Sequence, residues 1–175
     1  MHRFVLIRPT LAAMFIASYF GAAATVEAGG YVETDLVVNK SVNGVPTLTD
    51  KNGIVHIAKF FDANLQNPWG ISESTTSPFW VSDNGTGVAT LYSVAANPDG
   101  SQVVQKFPPS SQGGPLVVRI PLPDGSWCGA PTGVVFNPTQ EFKTPGTNFP
   151  ATFIFATEDG TIVGCATSTG PMGSS

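Results

Sequence analysis

Positive charge is scarce in this chain. Only eight of its 175 residues are Lys or Arg, and two of these, Arg3 and Arg8, lie in an N-terminal stretch that reads as a leader. Beyond residue 28 there are six Lys and Arg against eleven Asp and Glu, a net charge of −5. No basic stripe interleaved with aromatics is present to neutralise phosphates, so a nucleic-acid partner is disfavoured. Histidine is scarcer still: His56 is the only one after the leader, it reads as a surface residue, and no G-x-S-x-G elbow presents a serine to it. Two cysteines and one histidine show no zinc-type ligand spacing. Gly85-Thr86-Gly87 lacks the third glycine and the helix of a dinucleotide fingerprint and reads as a turn. Helical periodicity is missing as well, since no long stretch keeps a 3.6-residue apolar period behind a capped start.

The long apolar runs are confined to the N-terminus. Arg3 and Arg8 precede the uncharged stretch Leu11 to Ala24, and small residues follow at Ala22, Ala24, Val26 and Ala28. This is the pattern of a secretory signal peptide over residues 1–28, cleaved after Ala24 or Ala28, with the later site preferred. The run falls short of the ~20 residues of a spanning helix, so no membrane span is expected in the mature chain. The expected location is outside the cytoplasm: extracellular, periplasmic or at the cell surface.

What remains is rich in Gly, Pro, Thr, Val and Phe, a composition for short strands and tight turns. The expected class is all-β. Residues 29–66 read as an N-terminal strand over 31–38 and a meander, with hairpin turns at Asn43-Gly44 and Asn52-Gly53, where both residues of each pair tolerate positive φ. Residues 67–129 and 130–175 read as two copies of one pattern. Pro68 and Gly70 match Pro131 and Gly133 at a spacing of 63, while Asp83, Asn84, Gly85 and Thr86 match Glu158, Asp159, Gly160 and Thr161 at 75, so the second copy's loop is expected to be 12 residues longer.

Turn residues cut the first copy into strands near 69–72, 79–82 and 88–94, with 102–107 and 116–120 as candidates for an outer strand around a Pro, Ser and Gly linker at 108–115. They cut the second into 133–136, 152–157 and 161–166. Four-stranded antiparallel units repeated in this way are the blades of a β-propeller, which needs at least ~4 blades to close. The chain is therefore expected to be a partial propeller of about two blades, the second incomplete, and a fragment of a longer ring. Strand 31–38 would supply an outer strand to the last blade of that ring. With no blade to join, an open sheet edge is a predicted site of self-association.

In strand order NLQNPWGIS, PFWVSDNGTGVATLY, PLVVRIP, GAPTGVVFN and FIFATEDGTI, the chain resembles a family of secreted bacterial proteins with propeller-like, NHL-type repeats, many of which end in a PEP-CTERM sorting tail. The resemblance implies a propeller of roughly twice this length and brings no activity with it. The chain departs from the pattern in a longer meander between Asn39 and Lys59 and in having no C-terminal half or sorting tail.

In a blade, the turn between the second and third strands lies at the end where the first strand enters. Asp83, Asn84, Glu158 and Asp159 would share that face, where oxygen ligands would suit Ca²⁺ or Mg²⁺. Turn chemistry alone also accounts for these residues, because Asp and Asn bond their own backbone and Gly takes positive φ. Trp69, Phe79 and Trp80 read as core aromatics between wedge-shaped blades rather than as a sugar platform. Trp127, in a Gly-rich loop, is the aromatic expected to meet a ligand, a small molecule or a glycan. Cys128 and Cys165 fall at opposite strand ends, ~13 Å apart by strand rise, beyond the ~7 Å a disulfide tolerates. No cofactor is required by these residues. They favour an exported binding or structural module, with a metal-dependent hydrolase of the lactonase type as the enzymatic alternative and a fragment with no independent function as the third reading.

Overall fold

The computed structural model describes residues 33–108, 115–144 and 148–166. The leader, Tyr31 and Val32, most of the 108–115 linker and the end of the second copy lie outside the described residues. The chain divides into Met1–Thr34 and Asp35–Ser175, and the architecture below is that of the second unit. It is all-β: the described residues form strands joined by turns and contain no helix, hence none long and apolar enough to cross a membrane.

Of the strand expected over 31–38, the described residues 33–36 form no strand and only β1 (Val37–Val38) does, pairing in parallel with β5 (Phe60–Phe61). Between them β2 (Ser41–Val42), β3 (Val45–Thr49) and β4 (Val55–Ile57) form an antiparallel meander. The turn at Asn43-Gly44 takes positive φ at both residues, 51° and 81°, as a two-residue hairpin demands. The second turn is different: only Gly53 is left-handed, and Asp50 shapes the loop by accepting the Asn52 and Ile54 N–H groups on Oδ1, each at 2.8 Å.

Two larger sheets follow. The first contains β6 (Pro68–Ser72), β7 (Phe79–Asp83) and β8 (Val88–Ala96) in antiparallel order. β8 is nine residues long, about 30 Å at strand rise, and is shared by two partners. β9 (Gln102–Lys106) pairs with its second half and β10 (Val117–Arg119) with its first, so both candidates for an outer strand are used. The second sheet is β11 (Pro131–Phe136), β12 (Phe153–Thr157) and β13 (Ile162–Cys165). Among the described residues neither sheet closes on itself.

The ladders correct the repeat alignment. Pro68 pairs with Asp83 and Pro131 with Thr157; Gly70 pairs with Ser82 and Gly133 with Ala156. Strand register thus relates β7 to β12 at a spacing of 74, and Asp83 corresponds to Thr157 rather than Glu158. The β7–β8 turn spans 84–87 between paired Asp83 and Val88, whereas Thr157 N–H reaches Thr161 O across only three residues, so the spacing falls below 74 after the turn and the likeness of the turn letters at 75 does not follow the ladder. The second copy's longer loop is thus longer by 11 residues, not 12.

The sheets pack face to face through aromatics. Strand alternation turns Trp80 toward the second sheet, where it stacks on Phe153 at 4.6 Å between ring centroids and lies 6.1 Å from Phe155, with Ala89, Leu91 and Ile120 completing the core. The innermost strands come closer still. A Cβ on Gly70 would stand 2.7 Å from Thr132 O and 2.8 Å from Val134 N, so β6 and β11 meet backbone to backbone, a contact open to glycine alone. Ser72 Oγ accepts the Phe136 N–H at 3.0 Å across the same joint.

Of the three aromatics expected in the core, only Trp80 is fully buried. Trp69 is 60% exposed, because Gly70 and Ser72 take the interface side of β6 and leave Trp69 and Ile71 on the other. Phe79 is half-buried, alternating away from Trp80. Both cysteines are free thiols, Cys128 exposed and Cys165 half-buried, as the strand reading required.

Candidate functional site

The face of the first sheet turned away from the second sheet carries the unusual chemistry. Val81, Tyr92 and Val104 lie on it, packed by Leu36, Val37, Phe60, Leu65 and Val94. Among these apolar groups are Asp62, Asp83 and Thr90, each no more than 2% exposed. Asp62 follows β5 and is the better satisfied of the two carboxylates. Its Oδ1 accepts the Asn64 N–H at 2.9 Å and meets the Lys106 ammonium at 2.8 Å, and its Oδ2 accepts the Tyr92 hydroxyl at 2.7 Å. The ladder sets up this meeting, since Tyr92 faces Lys106 directly across β8 and β9. Burial and then the Asp62 carboxylate hold the Tyr92 hydroxyl protonated far above its ordinary range.

Asp83 is the strained member. Thr90 Oγ1 donates to its Oδ2 at 2.7 Å, while its Oδ1 is buried without a partner. Burial pushes this carboxyl up to about 7, with the nearby Asp62 charge adding to the rise and Thr90 and Lys106 opposing it. The sequence marked Asp83 as a turn residue but missed Asp62, Thr90, Tyr92 and Lys106. The available signal was alternation, which places Asp83 on the inward side shared by Phe79 and Val81.

Beside this cluster opens an apolar groove of about 440 Å³, lined chiefly by Leu36, Leu65, Trp69, Ile71, Phe79 and Tyr92. Tyr92 belongs to both features, its ring in the groove wall and its hydroxyl on Asp62.

The other sequence-predicted residues fall into separate places. Asn84 Oδ1 accepts the Asn67 amide at 3.1 Å, and the Asn84 N–H donates to Asn67 O. In the second sheet the Glu158 N–H donates to Ala130 O, and Asp159 Oδ2 accepts the Ala130 N–H at 2.7 Å. Each pair therefore clamps the residue that enters its own inner strand. Among the described residues no hydrogen bond links Asp83 or Asn84 to Glu158 or Asp159. Trp127 is 45% exposed and lines a second, smaller pocket of about 240 Å³ with Arg119, Cys128 and the Thr86-Gly87-Val88 segment. His56 lies half-buried between two carboxylates, its Nδ1 3.3 Å from Asp35 Oδ2 and its Nε2 3.9 Å from Asp50 Oδ2.

Comparison with protein-family models, curated proteins and solved structures finds no match to this chain.

Proposed function

We propose that the chain is an exported module of the β-propeller type whose role is binding or structural rather than catalytic. The observation that carries this reading is a packing relation written into both sheets. Each has an inner strand with Pro and Gly at matched ladder positions and a second strand in the same register, and the sheets stack through their inner strands at Gly70. A ring of blades grows by repeating such a step. The leader residues Arg3 and Arg8, with the apolar stretch behind them, supply the export signal in this reading.

A scaffold role is supported by how the polar groups are employed. Asp83 is held by Thr90, Asp159 by the Ala130 N–H and Asp62 by Tyr92 and Lys106, so the carboxylates serve the fold before any ligand. A lactonase-type hydrolase would need several oxygen ligands converging on one cation. The surfaces left for a small molecule or glycan are the apolar groove and the Trp127 pocket.

The test is thermal unfolding of the protein purified from an exporting host, its N-terminus read by mass spectrometry. We expect one cooperative β-sheet transition, lowered by Gly70→Ala because the added methyl group meets Thr132 O. An unchanged transition in that variant would sink the stacked-repeat reading.

A further inference from the structure

We propose that the chain binds a second copy of itself head to tail, the outward face of the second sheet in one copy docking on the open side of β6 in the next. This deepens the repeat reading above and rests on it. At the spacing of 63 that relates β6 to β11, Gly133 is the counterpart of Gly70. The two glycines have opposite surroundings: a Cβ on Gly70 collides with the backbone at Thr132 and Val134, whereas among the described residues nothing lies within 4 Å of a Cβ on Gly133. The counterparts of Thr132 and Val134 on the first inner strand are Trp69 and Ile71, which are 60% and 65% exposed. The described residues thus carry both halves of a joint that is used once internally, a glycine with none of their strands against it and an inner strand with none of their glycines against it.

Their surroundings suit the contact. Val135 and Ile162, on the strands flanking Gly133's face, are 56% and 58% exposed. Trp69 and Ile71 stand at the groove whose floor includes Phe79 and Val81. Neither half bears a charge, and exposed apolar surface of this kind marks an interaction site. The two halves differ, so the contact is heterologous, and copies would add in one direction to close a ring or extend a filament. One internal bond has no counterpart: Val135 stands where Ser72 accepts the Phe136 N–H. The joint between copies is therefore weaker than the one within a chain, and assembly depends on concentration. This differs from pairing at open sheet edges, which would join backbone ladders and ignore these side chains.

The experiment is light scattering on size-exclusion fractions of the exported protein over a range of loading concentrations. We expect the mass to rise to at least twice that of one chain. Gly133→Ala should hold the protein as a monomer without changing its melting temperature, since the methyl group meets empty space in a single chain. Ile71→Glu and Val135→Glu should each block assembly alone, yet mixed together they should form a one-to-one dimer, because each retains the half that the other lacks. Two results would overturn the proposal: a wild-type protein that stays monomeric, or a Gly133→Ala variant that assembles as the wild type does. If that monomer still melts cooperatively and is weakened by Gly70→Ala, the repeat reading stands without the docking. If Gly70→Ala is as stable as the wild type, both fall.

Discussion

The two faces of the first sheet are built from the same strands by opposite means. One face meets the second sheet through Trp80, Phe153 and Phe155, whose rings are almost wholly buried, and its stability follows from area and shape. The other face seals two carboxylates and an ammonium under a partial cover and leaves a groove open beside them. Strand alternation lets a single run, Phe79-Trp80-Val81-Ser82-Asp83, serve both. The aromatic face tolerates loss of area in proportion to the atoms removed. The polar face is conditional, since its worth depends on every partner being present.

Removing one partner from each face tests that contrast most strongly. Phe153→Ala should cost about 3–5 kcal/mol, and Lys106→Met should cost a comparable ~3–5 kcal/mol because Asp62 would stay buried without its ammonium. Both are read from denaturant midpoints. Restoring neutrality separates them: Asp62→Asn added to Lys106→Met should recover part of the loss, whereas no second polar change should help Phe153→Ala. A Lys106→Met, Asp62→Asn double variant no more stable than Lys106→Met alone would erase the distinction between the faces.

Gly70→Ala should cost about 1–3 kcal/mol, the range for overpacking, while Trp69→Ala, on the exposed side of the same strand, should cost under about 0.5 kcal/mol. Reversal of that order would mean that β6 faces the other way.

The next effect depends on pH. Asp83 keeps its proton in the folded chain up to about 7, whereas an ordinary carboxyl of 3.8 has released it well before. Between those values the native state binds more protons than the unfolded one. This contribution to stability is therefore complete below the ordinary carboxyl value and is lost as pH rises through about 7. Asp83→Asn should flatten the fall in melting temperature between about pH 4 and about pH 7, the interval from the ordinary carboxyl value of 3.8 to the folded value, and should be the more stable protein at the alkaline end. A wild-type profile that stays flat over the same range would remove the buried, unpartnered oxygen from the account.

The smallest expected effect concerns cations. Millimolar Ca²⁺ or Mg²⁺ should leave the melting temperature unchanged, since Asp83 and Asp159 are already engaged by Thr90 and Ala130. A rise would mean that the acidic turns form a real site.

Most of the strands were legible because Gly, Pro and Asn punctuate them. β7 and β12 were each placed within one residue, and both candidates for an outer strand were recognised. Side-chain direction was harder to read. Trp69 looked like core because it is a tryptophan in an inner strand, but its position relative to Gly70 decides its exposure, and that depends on the β11 backbone. The Asp62, Tyr92 and Lys106 contact joins three segments distant in the chain, so no local pattern announces it. Asp83 and Asn84 resemble Glu158 and Asp159 as letters, yet the ladders to Pro68 and Pro131 put Asp83 level with Thr157, one residue out of step with that likeness.

The backbone contact at Gly70 also bears on how such repeats diverge. A joint formed by a carbonyl, an amide and a missing side chain makes little demand on which residues stand at 132 and 134, provided the strand remains extended. Mutations can accumulate there without loosening the stack. Kinship between repeats would then outlast their resemblance, and the interval between two glycines would preserve it longer than any string of shared residues.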